Sequence, residues 1–240
     1  MANSYFQFKQ FTIQQQSCAM KVCTDACLLG AWAAQKINTK NLHPKNILDI
    51  GTGTGLLALM LAQKTTAQID AVEIDAAAAI QAAENCKQSP WSERLHVFNS
   101  SILEFHPLKK YDCIISNPPF FQDDLLSNDA AKNAAKHHIS LDFSGLLESS
   151  LHNLNANGFI ILLIPYHRTA YLQIISGENG LYINEMLFVK QSPSHTFFRT
   201  IILLSKKQQE IKKEELIIHN QYRQYSAAFT ALLQDYYLML

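Results

Sequence analysis

The sequence predicts an α/β fold: an open, doubly wound, mostly parallel sheet that closes with a C-terminal antiparallel hairpin. Three observations predict it. Short apolar runs alternate with helical patterns over residues 47–206, the rhythm of strands joined by crossover helices. A glycine-rich turn follows the first run and opens a helix, as in folds that bind ligands at the carboxyl ends of parallel strands. Two later β-runs, Leu187–Lys190 and Phe198–Ser205, are separated only by residues 191–197, too short a link for a crossover helix, so they pair antiparallel.

The elements follow in order. Ile47–Ile50 is the first strand, and after the glycine turn Leu56–Gln63 is an apolar helical stretch. Ile69–Ile74 is the second strand and leads into an alanine-rich helix around Ala76–Asn85. Leu95–Asn99 is a short third strand, and Tyr111–Ser116 a fourth that ends in Asn117-Pro118-Pro119-Phe120. A polar connection, a helix near Phe143–Leu154 and the most apolar strand, Phe159–Ile164, come next. After the hairpin the polar run Lys206–Glu215 reads as a solvated loop, and Ser226–Leu240 as an amphipathic, aromatic-rich helix.

Composition narrows the function classes. The chain has 240 residues, 48% of them hydrophobic, which excludes a disordered chain and suits one large α/β domain. Twenty Lys and Arg balance twenty Asp and Glu, so indiscriminate polyanion binding, which needs a basic excess, is not the main activity. No apolar run reaches the roughly 20 residues that span a bilayer, and the opening residues lack the basic-then-apolar pattern of a signal peptide. The five cysteines form no CxxC pair, so neither a zinc site nor any other metal site is expected. Reduced cysteines and a cytoplasmic location are expected, with no membrane attachment and no obligate protein partner evident.

Two features carry chemistry. In Asp49-Ile50-Gly51-Thr52-Gly53-Thr54-Gly55 the glycines let the backbone turn tightly and approach a ligand. The spacing is GxGxG, and Leu56 stands where a dinucleotide fingerprint would need glycine. Glu73 ends the second strand, where a carboxylate can accept hydrogen bonds from both hydroxyls of a ribose. Asp75 suits a cap for the next helix better than a ligand contact. Then Asn117-Pro118-Pro119-Phe120 sits at the ligand-binding end of the fourth strand. The two prolines hold the chain extended. The Asn117 side-chain carbonyl and the Pro118 main-chain carbonyl are two acceptors at one point, matched to the two hydrogens of an –NH2 group. Phe120 offers a flat face to a planar substrate.

In this order and spacing, DIGTGTG, VEID and SNPPF resemble the amino-methylating branch of class I S-adenosylmethionine-dependent methyltransferases. The opening Phe6–Phe11, the stretch Ala19–Asp25, Leu28–Ala33 and the tail from Tyr225 to Leu238 are similar to a bacterial family that methylates the adenine next to the anticodon of valine tRNA. The resemblance covers nearly the whole chain. It implies a Rossmann-like, seven-stranded sheet in a domain over residues 47–240, with residues 1–46 covering the cofactor site. It implies S-adenosyl-L-methionine as cofactor, tRNA as partner, and transfer to the N6 amine of adenine 37. The carried-over cofactor contacts are Lys21, Thr24, Asp25, Asp49, Gly51, Thr52, Gly53, Gly55, Glu73, Ile74, Ser101, Ile102 and Asn117. The carried-over catalytic set is Asn117, Pro118, Pro119 and Phe120. Thr24 and Asp25 also suit an N-cap pair for a helix over Ala26–Gln35. The sequence departs from the pattern at Ser100-Ser101, where many relatives carry an Asp that accepts from the cofactor's adenine, so recognition there is expected to lean on the backbone of Ile102.

The target base in a stacked RNA must be flipped out to be reached, and the RNA needs local cations. Lys132, Lys136, His137 and His138, just after the tetrad, are the candidate contacts. Alternatives remain at this level: the same tetrad would serve an enzyme acting on protein glutamine, rRNA guanine or DNA adenine, or the chain could be a non-catalytic cofactor-binding scaffold.

Overall fold

The computed structural model describes residues 3–18, 20–40, 42–119 and 143–240. Eight strands form one sheet in the order β10-β8-β9-β7-β6-β3-β4-β5. In chain order these are β3 (Asn46–Ile50), β4 (Gln68–Glu73), β5 (Leu95–Asn99), β6 (Tyr111–Ser116), β7 (Leu154–Pro165), β8 (Tyr182–Lys190), β9 (Phe197–Ser205) and β10 (Lys212–Ile217). All neighbours are parallel except β9, which runs antiparallel to both β7 and β8. The mostly parallel sheet with its C-terminal hairpin is therefore as expected.

The eighth strand is a correction. Residues 212–215, assigned above to a solvated loop, belong to β10, which pairs in parallel with β8 from Lys212 opposite Glu185 to Ile217 opposite Lys190. Its first four residues are exposed. An edge strand needs only one row of ladder bonds, so its side chains stay in water and no apolar alternation marks it.

Among the described residues the α-helices are α1 (Thr24–Thr39), α2 (Leu56–Ala62), α3 (Ala76–Lys87), α4 (Phe143–Asn153), α5 (Thr169–Glu178) and α6 (Ala227–Leu233). On one face of the sheet α1, α2 and α6 build a core around Trp32, Leu59 and Phe229; on the other, α4 and α5 pack with Leu147, Ile160 and Leu172. Every residue of α2 is buried, because α1 covers the side turned away from the sheet. A Cβ at Gly30 would lie 2.6 Å from the Met60 sulfur, so glycine sets how closely α1 crosses α2. The helix α5 was not anticipated. Its Ile174 stays exposed while Leu172 and Ile175 are buried, and the segment serves as the crossover from β7 to β8.

Both ends differ from expectation. Before α1, Tyr5–Gln7 (β1) and Thr12–Gln14 (β2) form an antiparallel hairpin. The expected tail helix is short: Ser226 caps it by accepting from the Phe229 amide at 3.1 Å, and α6 stops at Leu233. The chain then turns so that the Tyr236 carbonyl accepts from the Lys9 amide at 2.8 Å and Tyr237 bridges Phe8. Tyr237 lies within ring contact of Phe6, Phe8 and Phe229; the tail aromatics leave the helical path to seal the two termini together. All five cysteines are unpaired with one another.

One polar network crosses the core. Lys36 of α1 lies 2.8 Å from Glu185 of β8 and 2.7 Å from Glu214 of β10, and Lys40 pairs with Glu185. The two lysines hold the Glu185 carboxyl below the ordinary range despite its burial. Breaking a buried pair strands a charge, whereas replacing both members with apolar residues does not. Lys36→Met is expected to lose about 3 kcal/mol in urea unfolding, and Lys36→Met with Glu185→Leu to recover most of that loss.

Candidate active site

At the carboxyl ends of β3, β4, β5 and β6 the sheet opens into a cavity of about 680 Å³. The turn after β3 forms its floor. Gly51, Gly53 and Gly55 have φ of 69°, 56° and 82°, a left-handed geometry that costs other residues roughly 1–2 kcal/mol each. The Val72 carbonyl accepts from the Gly51 and Thr52 amides at 2.8 and 3.1 Å, which fastens the turn to β4. Glu73 then bridges the site: one carboxylate oxygen accepts from the Gly53 amide at 2.8 Å and the other from the Asp75 amide at 3.0 Å. Asp75 caps α3 by accepting from the Ala78 amide at 2.8 Å, the role expected of it.

Ten of the residues singled out in the sequence meet on the cavity: Lys21, Gly51, Thr52, Gly53, Glu73, Ile74, Ser101, Ile102, Asn117 and Pro119. Asp49 and Gly55 support the turn from behind. Asp49 is fully buried and accepts from the Thr52 hydroxyl at 2.6 Å, while its other oxygen has no partner among the described residues. Gly55 backs onto the Ala82 carbonyl and the Cys86 sulfur, each 3.5 Å from where a Cβ would sit. Ser101 turns its hydroxyl to the Leu103 amide at 3.3 Å, a local turn contact. Pro118 is buried.

Thr24 and Asp25 are placed outside the cavity wall. The helix begins at Thr24 rather than Ala26, and its capping position falls on Cys23, whose side chain makes no capping bond. The N-cap pair is thus corrected: Asp25 accepts from Arg199 Nε of β9 at 2.8 Å, and Thr24 meets the Tyr237 hydroxyl. Those partners draw both side chains toward β9 and the tail. Phe120, Lys132, Lys136, His137 and His138 lie outside the described residues.

Sequence reasoning missed what holds Ser17, Cys18 and Met20–Val22 over the cavity. Asn85 on α3 is buried; its carbonyl accepts from the Gln14 amide at 2.9 Å, and its NH2 donates to the Gln14 carbonyl at 2.8 Å and the Thr54 carbonyl at 2.9 Å. One side chain therefore joins the N-terminal segment to the glycine turn. Gln15 accepts from the Val22 amide at 2.9 Å, and Met20 places its sulfur 3.8 Å from Asn117 Nδ2. Gln81 and Asn85 are amides one turn apart on an otherwise alanine-rich helix, and only the folded chain shows that both are buried.

The chemistry of the walls is divided. Val22, Ile50, Leu57, Val72 and Ile102 make an apolar slot beside Glu73 and Asp75. That negative field, added to burial, raises the Cys18 thiol to about 11. An apolar slot with carboxylates and a glycine floor fits a ligand with a flat heterocycle, a ribose and a positive charge. At the mouth, the Asn117 side-chain oxygen is buried with no hydrogen-bond partner among the described residues, an acceptor prepared for an N–H donor.

Comparison with known proteins agrees. The methyltransferase small domain matches residues 32–164. The tRNA1(Val) (adenine(37)-N6)-methyltransferase of Parabacteroides distasonis is 41% identical over all of both chains. Among solved structures, a predicted O-methyltransferase from Agrobacterium tumefaciens superposes with a TM-score of 0.65 over 88% of this chain and 96% of its own, at 17% identity. Magnesium protoporphyrin IX methyltransferase from Synechocystis, solved with S-adenosylmethionine bound, reaches 0.55 over 76% and 80%, at 16% identity. Fold and family model together define a Rossmann-like methyltransferase. Within that class the chain belongs to the family of the tRNA1(Val) (adenine(37)-N6)-methyltransferases.

Burial raises the Asp49 carboxyl to about 7, against the pull of the Thr52 hydroxyl and the Ala58 amide. A carboxyl that titrates higher folded than unfolded binds more protons in the native state. Stability from this group is therefore highest below the unfolded value near 4 and falls as pH rises to about 7. Asp49→Asn removes the ionisation cost, so its melting temperature should gain on that of the parent between about pH 5 and pH 8. A constant difference across that range would place the carboxyl's titration elsewhere.

Proposed function

We propose that this protein transfers a methyl group from S-adenosylmethionine to the N6 amine of an adenine in tRNA, adenine 37 of valine tRNA, and works in the cytoplasm. The observation that carries the acceptor chemistry is the buried Asn117 oxygen at the cavity mouth, which has no hydrogen-bond partner among the described residues. The naming of full-length relatives at about 40% identity supports the RNA target.

Bound in the cavity, the cofactor supplies an electrophilic methyl on a sulfonium. Gly51, Gly53, Glu73, Ile74 and Ile102 would hold it, and the carboxylates of Glu73 and Asp75 favour its positive charge. Asn117 Oδ1 and the Pro118 carbonyl accept the two hydrogens of the adenine amine, so the nitrogen lone pair is turned to the methyl. As nitrogen gains the methyl and becomes cationic, the same two acceptors bind its hydrogens more strongly, which stabilises the transition state more than the ground state. The nitrogen then releases one proton to solvent, and no strong base is needed. A base inside a stem or a stacked loop is out of reach, so the enzyme receives it extruded.

The test is transfer of labelled methyl to tRNA, rRNA, duplex DNA and protein in parallel, with Asn117→Ala beside the parent. Label should enter tRNA as N6-methyladenosine. Asn117→Ala should lower kcat about 100-fold or more while leaving KM for S-adenosylmethionine within about twofold. Label in another pool would replace the substrate, and an unchanged kcat would remove Asn117 from the acceptor site.

A further inference from the structure

Charge is sorted along the carboxyl edge of the sheet in a way the net charge hides. Below the site stand Asp49, Glu73 and Asp75. On the other half of the same edge, residues 165–169, 188–199 and 216–226 span the ends of β7 and β8, the start of β9 and the end of β10. Those three stretches hold Arg168, Lys190, Arg199 and Arg223 with three histidines, and no Asp or Glu. Among the described residues, Glu215 lies 3.3 Å from Lys190 and Asp25 2.8 Å from Arg199. The edge is still one-signed in sequence within a chain of zero net charge.

Aromatic rings gather in the same place. Tyr166, Phe188 and Phe197 form a closed triad with centroid separations of 5.7, 5.1 and 5.3 Å. Lys190 Nζ lies 4.1 Å over the Phe197 ring. Tyr166 is 40% exposed and the two phenylalanines are half-buried, so the cluster has packed flanks and an open face. A core role does not call for a tyrosine at the surface, and a plain solvated face does not call for three rings.

Register places the triad relative to the acceptor site. Ser116 of β6 is opposite Leu162 of β7, so Asn117 is level with Leu163 and Tyr166 stands about 10 Å further along, one strand over. That is the separation of one or two nucleotides in an extended strand.

We propose that the Tyr166–Phe188–Phe197 cluster with Lys190 is a stacking platform for the unpaired RNA nucleotides that flank the target base. The proposal rests on the RNA reading of the site given above and adds the surface that engages the loop. Exposed rings beside cations are the general means of holding single-stranded nucleic acid, because every base has a π-face. A duplex, whose bases are already stacked, has nothing to offer this surface.

Direct binding tests it without depending on methyl transfer. The full chain is titrated into a fluorescent anticodon stem–loop RNA, with a DNA duplex as comparison. Tyr166→Ala should weaken RNA binding about 5- to 100-fold, and Tyr166→Phe, which keeps the ring, should bind within about twofold of the parent. The melting temperature and KM for S-adenosylmethionine read folding and the cofactor side, and neither should change in the alanine variant. RNA binding by Tyr166→Ala equal to the parent's overturns the platform. So does a parent that fails to bind the stem–loop, or a Tyr166→Phe loss as large as that of alanine. A parent that binds the loop through Tyr166 yet puts no methyl on tRNA would instead refute the assigned reaction and leave the platform standing.

Discussion

The site depends on one constraint: the backbone between Asp49 and Leu56 must reverse within a few residues while its amides stay held from the side. Three left-handed glycines make the reversal possible, and Glu73 and Val72 hold it by accepting from Gly51, Thr52 and Gly53. From this turn the rest is placed. Asn85 reaches the Thr54 carbonyl and, through Gln14, carries the N-terminal segment over the cavity. On the opposite side, the Ser116 hydroxyl donates to the Ile50 carbonyl at 2.8 Å. That contact sets the end of β6, and with it Asn117, beside the end of β3. Asn117 and the glycine turn thus share one rigid support, as the proposed catalysis by positioning requires.

The same edge divides by charge. Under the proposed function, the carboxylates stand where a cationic cofactor would sit, and the cations with aromatic rings where an RNA would approach. A chain with twenty charges of each sign achieves this by placement rather than by excess. It can favour both a sulfonium and an RNA without attracting every polyanion it meets. The ion-pair network of Lys36, Lys40, Glu185 and Glu214 is a separate matter: it fastens the added edge strand to α1, away from the cavity.

How much was legible follows the physics of each element. Buried parallel strands are continuous apolar runs, so Ile47–Ile50 and Tyr111–Ser116 could be read to within a residue, and the glycine turn and Glu73 announced the cavity through backbone geometry. The edge strand β10 was illegible because its burial is on almost none of its side chains. Helix α5 was illegible because only Leu172, Ile175 and Ser176 of its ten residues are buried, too few to mark an apolar face. The position of Asp25 depended on Arg199, 174 residues away, and Asn85 acts through backbone groups of two distant segments. Such contacts leave no local pattern. The seating of the N-terminal residues is legible only in three dimensions, where a buried amide reveals what it holds.

The most direct measurement of the account's central claim is calorimetric titration of S-adenosylhomocysteine into the parent protein and into Gly53→Ala. The parent should take up one equivalent per chain. The added Cβ meets no atom within 4 Å but strains a φ of +56°, so the variant should fold and bind at least about tenfold more weakly as the turn shifts. Equal affinity in the two proteins, or no binding by the parent, would contradict the assignment of the glycine turn as the cofactor's floor.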